Sequence, residues 1–115
     1  MTLAAQQVVL GPRAWAALDH LEASSSPEGR TVARRVRALK PVLLGDCLHG
    51  EVVGRSAIPR ARRERHGLEN LCVEDLPDFW RLLYTVVRLG GRRVIVIVEI
   101  VSHKEYSRWF PGRRG

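Results

Sequence analysis

The spacing of apolar residues divides the chain into a helical first half and a strand-rich second half. Residues 3–10 read as a first strand, closed by Gly11-Pro12. Residues 14–23 read as a helix, with Trp15, Leu18 and Leu21 as its apolar stripe. Ser24-Ser25-Ser26-Pro27-Glu28 is a break followed by a helix start: Ser26 can cap, Pro27 suits the first helical position, and Glu28 favours the positive end of the dipole. This second helix is expected to run to about Lys40, with Val32, Val36 and Leu39 inward, because Pro41 discourages continuation. The two helices then form an antiparallel pair.

Residues 42–68 show no clear period. After Gly67 the pattern turns to strands: residues 68–74, then 79–89, then 93–101, the last two joined by the hairpin signal Gly90-Gly91. A two-residue loop sets Leu89 opposite Arg92 and Val87 opposite Val94. Carried back without interruption, this register sets Arg81 opposite Ile100. Arg81 then shares a face with Leu83, Thr85, Val96 and Val98, while Trp80, Leu82 and Tyr84 share the other with Ile95, Ile97 and Glu99. Residues 94–101 are apolar on both faces, as in a central strand. Glu99 there needs a partner if buried, either Tyr84 or an arginine. A short helix after Ser102 docks through Trp109 and Phe110. The order is α+β, with the helices over one face of the sheet and the other face shallow and partly open.

The chain has 115 residues, 45% apolar and 27% charged, which fits one globular domain over residues 1–115. No apolar run approaches the roughly 20 residues that span a bilayer. The N-terminus has no basic n-region and no signal-type cleavage pattern, so no export and no membrane association are expected. Cys47 and Cys72 suit a reducing, cytoplasmic setting. With Cys47, His49, His66, Cys72 and His103 matching no common ligand spacing, no metal and no cofactor are expected. Gly-rich phosphate loops and nucleophile elbows are absent.

Charge narrows the picture further. Nineteen Lys and Arg against twelve Asp and Glu give net +7, and seventeen of the nineteen are Arg. Such a surplus attracts polyanions or acidic partners, and arginine suits bidentate phosphate binding. The densest segment, residues 55–66, holds five arginines and one glutamate. Arg60, Arg62, Arg63 and Arg65 form either a phosphate-contacting arm, as a loop or as a short helix after Pro59, or a solvated basic surface.

The combination of Asn70-Leu71, Asp75-Leu76-Pro77, Trp80-Arg81-Leu82-Leu83-Tyr84-Thr85, Ser102-His103-Lys104-Glu105-Tyr106 and Trp109-Phe110 resembles the RelE/ParE superfamily of bacterial and archaeal toxins. The resemblance runs from about Ile58 to Phe110 and is topological before that. It implies a RelE-like fold: an N-terminal strand and two-helix hairpin on a mainly antiparallel sheet of about four strands, with a short C-terminal helix. It also implies the toxin of a type II toxin–antitoxin system, a ribosome-dependent mRNA interferase that cuts without metal by attack of the RNA 2′-hydroxyl on the adjacent phosphate. The implied partners are a cognate antitoxin and mRNA in the ribosomal A site, in the cytoplasm. The alternative is a non-catalytic protein, either a ParE-like gyrase inhibitor or an inactive antitoxin-bound homologue.

The resemblance also implies roles. Arg81, expected exposed on the open face, stabilises the phosphorane, or else is a strand arginine paired to a carboxylate. His103 gives or takes a proton, or is a surface or capping histidine. Lys104 holds phosphate or transfers a proton. Tyr106 positions the substrate base, or packs under Trp109. One departure concerns the general base, which some members place before the third strand. The matching stretch here is residues 60–66, and arginine is a poor base. Glu64 and His66 are the substitutes.

Overall fold

The computed structural model describes residues 2–111. The elements are β1 (Gln7–Leu10), α1 (Pro12–Ala23), α2 (Pro27–Gly45), β2 (Glu51–Val53), α3 (Arg60–His66), β3 (Leu71–Asp75), β4 (Arg81–Leu89), β5 (Arg92–Val101) and α4 (His103–Trp109). They build one sheet of five strands in the order β1-β5-β4-β3-β2, antiparallel except where β1 runs parallel to β5. The mixed α+β order agrees with the sequence reading. The sheet has one strand more than expected, because three-residue β2 is too short to display a period.

Two other expectations about the helices change. The buried residues of α1 are Ala14, Leu18 and Leu21, while Trp15 is 65% exposed. A strict three-residue spacing drifts around a helix of 3.6 residues per turn, and Ala14 takes the inner position that Trp15 was assigned. α2 is capped at Ser26, whose hydroxyl accepts from the Gly29 N–H, but it continues through Pro41 to Gly45. Arg37 and Pro41 are both exposed, so the carbonyl left without a donor lies on the wet side. Burial of Leu43 carries the helix past the proline.

The sheet divides two clusters of buried side chains. On one face, Leu82, Tyr84, Ile95, Ile97 and Ile100 meet Ala14, Leu18 and Leu21 of α1 and Val32, Val36, Leu39 and Leu43 of α2. On the other, Leu71, Val73, Leu83, Val98 and Val101 pack with Ile58, Leu68, Tyr106, Trp109 and Phe110. The second face is therefore not shallow and open; α3, α4 and the segments around them cover it.

The hairpin begins in the expected register, Leu89 opposite Arg92 and Val87 opposite Val94, with Gly90 and Gly91 both at positive φ. A bulge then intervenes. Tyr84 pairs with Ile97 but Leu83 pairs with Glu99, leaving Val98 as the extra residue. Arg81 consequently lies opposite Val101 rather than Ile100, and Glu99 moves to the face of Leu83. Tyr84 does not partner Glu99. Its buried hydroxyl instead accepts from the Gly50 N–H at 3.1 Å.

Candidate functional site

The sequence-derived residues converge where β4 begins and α4 lies. Arg81 opens β4, and its side chain is 6% exposed, not open to solvent as expected. Its Nε lies 3.0 Å from Asp75 Oδ1 on the adjacent strand, and Nη1 donates to the Trp80 carbonyl at 3.2 Å. The guanidinium carbon stands 5.1 Å from the centre of the Tyr106 ring, a cation–π contact. The register puts Asp75 directly opposite Arg81, so the ion pair follows from strand pairing. Tyr106 is buried on the inner side of α4, next to Phe110. Burial pushes its phenol pKa upward, and Arg81 opposes that shift. Tyr106 thus packs within the domain rather than presenting its ring to solvent.

His103 and Lys104 are exposed on the first turn of α4. Ser102 caps this helix, accepting from the Glu105 N–H. The His103 ring meets Phe79 edge-on, with centroids 6.0 Å apart. Arg81, Tyr106 and His103 therefore gather at one end of the sheet, and Lys104 sits beside them in sequence on α4.

The arginine-rich segment is helical after Pro59, one of the two forms expected. α3 ends at Gly67, whose left-handed φ of 63° lets the chain reverse. Arg60 pairs with Glu64 one turn on, at 2.9 Å, and both are exposed. Arg65 is exposed; Arg62 and Arg63 are half-buried. The Arg62 guanidinium lies over Trp109, 5.0 Å from the ring centre. α3 thereby presents a basic outer side and is fastened to α4 through Trp109.

A third group forms around Glu99, for which the sequence left Tyr84 or an arginine as partner; an arginine supplies it, though which one was not legible. Glu99 is buried, and its Oε2 accepts from Arg13 Nε at 2.6 Å. Arg13 can reach it because β1 ends at Leu10, opposite Ile97, so the outer edge of β5 is bare beyond that point. From the other side comes His66, the last residue of α3. Its Nε2 lies 3.4 Å from the same carboxylate oxygen, buried and without a hydrogen bond, while the ring stacks on Trp109 at 5.7 Å. Burial lowers the His66 pKa, and the neighbouring Glu99 charge works against that. A cleft of about 380 Å³ opens beside this pair, lined by Arg13, His20, Trp80, Glu99 and Glu105. The signal available in the sequence was Glu99 itself, a carboxylate in an apolar strand. Of the two substitute bases, Glu64 is engaged by Arg60 on the outside, and His66 faces Glu99 inside.

No family model, no curated protein and no solved structure matches the chain. Among the described residues, no group of three or more His, Cys, Asp or Glu is placed to hold a metal ion. No helix among them is long and apolar enough to cross a membrane. Cys47 and Cys72 are both buried as free thiols.

Proposed function

We propose that this protein is the toxin of a type II toxin–antitoxin pair with a RelE-like fold, acting in the cytoplasm as a ribosome-dependent mRNA endoribonuclease. The supporting observation is the contact of Arg81 with Tyr106 of α4, with His103 at the start of the same helix against Phe79 and the basic helix α3 fastened to α4 through Trp109. Cleavage by the RNA 2′-hydroxyl needs a cation at the phosphorane and a group that moves protons near neutral pH. Arg81 is held by Asp75 and the Trp80 carbonyl, and so offers a fixed guanidinium. His103 and Lys104 are exposed and can reach substrate atoms. Arg60, Arg62, Arg63 and Arg65 supply charge for the RNA backbone, or for acidic residues of the antitoxin in the repressed state.

One observation favours the non-catalytic reading, a gyrase inhibitor of the ParE kind or an inactive antitoxin-bound homologue. Arg81 is almost wholly buried, with Asp75 already on its guanidinium. Mapping transcript ends after induction decides between them. Cleavage gives new 5′-hydroxyl ends within codons of translated messages. His103→Gln, at an exposed position, should reduce them about a hundredfold or more with the fold intact. Growth arrest with blocked supercoiling and no new ends means gyrase inhibition and overturns the nuclease reading.

A further inference from the structure

The ion pair between Arg81 and Asp75 joins partners in opposite environments: the Arg81 side chain is 6% exposed and that of Asp75 is 86% exposed. A guanidinium taken out of water needs an anion beside it, and losing that anion is costly. A carboxylate at the surface loses little on leaving, because water replaces the ion pair. The other contacts of Arg81, to the Trp80 carbonyl and the Tyr106 ring, bring no net charge. Among the described residues no second carboxylate pairs with it. The pair of Arg13 with Glu99 is built the other way round, with the carboxylate buried and the arginine half-exposed. Tyr106 is buried on one side of the Arg81 guanidinium, so the approach from solvent runs through the position of the Asp75 carboxylate. A turn links the two residues. Asp75 ends β3, Arg81 opens β4, and the Leu76 N–H donates at 2.9 Å to the Trp80 carbonyl, which also accepts from Arg81. Within this turn Asp78 and Phe79 are both left-handed, at φ 58° and 62°, a strained conformation for phenylalanine. Backbone strain of this kind gathers at ligand clamps and switch segments.

We infer that Asp75 is an intramolecular competitor of substrate phosphate: it occupies the Arg81 guanidinium in the free protein and is displaced when a phosphodiester of RNA enters. The identity of the occupant rests on the RNA-cleaving reading above. One anion replaces another, so the buried cation is neutralised before and after the exchange, while Asp75 moves into water. The burial of Arg81 against a carboxylate is then the closed state of the site rather than an obstacle to its use. Asp78 and Glu105 are exposed in the same region and repel phosphate, which keeps the affinity of the closed protein low.

The test titrates wild type, Asp75→Asn and Asp75→Glu with a 2′-O-methylated RNA trinucleotide, which offers phosphodiesters but no attacking hydroxyl. Two NMR signals are read, the Arg81 Nε–H and the side-chain carboxyl carbon of Asp75. In the wild type both should move together, since entry of the phosphate requires exit of the carboxylate. Asparagine keeps an oxygen for the Nε–H but no charge, so Asp75→Asn should bind about tenfold tighter, the difference between a charged and a neutral acceptor. Asp75→Glu restores the charge and should return toward wild type. On programmed ribosomes Asp75→Asn should raise kcat/KM for cleavage about tenfold, through KM with kcat unchanged, because the competitor is lost from ground state and transition state alike. A merely structural Asp75 gives no gain in affinity on substitution, and equal or weaker binding by Asp75→Asn overturns the inference while leaving the RNA reading standing. An Arg81 signal that moves while that of Asp75 stays still overturns it too, and this wild-type result decides alone if Asp75→Asn does not fold. If none of the three proteins cuts message on ribosomes, the nuclease reading falls and takes with it the occupant named here.

Discussion

Arg13→Ala should destabilise the protein by an amount that depends on pH, because His66 can replace the missing charge. Glu99 is 4% exposed in its side chain and Arg13 is 51% exposed, at 2.6 Å. Unit charges about 4 Å apart interact by roughly 4 kcal/mol at an effective dielectric of about 20. Solvent around the half-exposed guanidinium cuts this, placing the loss between the ~0–1 kcal/mol of surface pairs and the ~3–5 kcal/mol of broken buried ones. We expect about 2 kcal/mol at pH 8, or about 10 °C in melting temperature for a domain of this size. The His66 pKa is lowered by burial, raised by Glu99 and lowered by Arg13. In the wild type its folded value lies below the unfolded one, so the unfolded chain binds more protons. His66 therefore adds stability above about pH 6.5 that is lost as the pH falls through and below that value. Removing Arg13 lifts one repulsion and leaves Glu99 opposed only by burial and Arg65, so His66 protonates more readily and pairs with the buried carboxylate. The Arg13→Ala loss should thus shrink to about 1 kcal/mol at pH 6, within the limit of about 1.4 kcal/mol per pH unit for one proton. Urea denaturation of wild type, Arg13→Ala, His66→Gln and the double variant between pH 6 and 8 measures this. With His66→Gln the pH dependence of the Arg13 effect should vanish. An Arg13→Ala loss that is the same at both pH values, or below about 0.5 kcal/mol throughout, refutes the coupling.

Two further outcomes follow from burial. Arg81→Ala should cost about 2 kcal/mol in urea denaturation with an unchanged denaturant slope, since it strands a nearly buried position and removes the contacts to Asp75, the Trp80 carbonyl and Tyr106. On the proposed toxin reading, a loss of growth inhibition in that variant is therefore informative only alongside Arg81→Lys, which keeps the charge without the guanidinium fork. Gly50→Ala should cost about 2 kcal/mol or more, because an added Cβ would lie 2.8 Å from the Val73 carbonyl oxygen and 3.2 Å from the Tyr84 ring. A melting temperature within a degree of wild type would show that this segment shifts freely.

Much of the fold was legible because its signals are local. Gly90-Gly91 fixes the hairpin and the first pairs of its register, and Ser26-Pro27-Glu28 fixes the start of α2. What escaped depends on residues far apart. Pro41 argues for a helix end, yet Leu43 is drawn into the core by side chains of the sheet that a local reading does not weigh. The three residues of β2 take their form from pairing with β3, in the register of Glu51 with Val73. The bulge at Val98 leaves no trace, because residues 94–101 are apolar on both faces and a one-residue slip breaks no alternation.

That bulge also explains why the site was only half legible. The motif residues Arg81, His103 and Tyr106 could be singled out only through the family resemblance they carry, and the structure brings them to one end of the sheet. The burial of Arg81 and Tyr106 could not be read, since it follows from α4 folding back over the face that looked open. Glu99 announced itself as a carboxylate among valines and isoleucines, but seventeen arginines were equally plausible partners. Arg13, 86 residues away, is selected because β1 stops at Leu10 and α1 starts at Pro12, so that it reaches past the bare edge of β5 even though the extra residue Val98 turns Glu99 to the face of Leu83. The same turn brings Glu99 within reach of His66 at the end of the arginine helix. An uninterrupted register would leave Arg81 opposite Ile100 and Glu99 among the side chains that meet α1 and α2. The bulge thus sets the position of Arg81 and the partners of Glu99 together, so a change that removes it must disturb both.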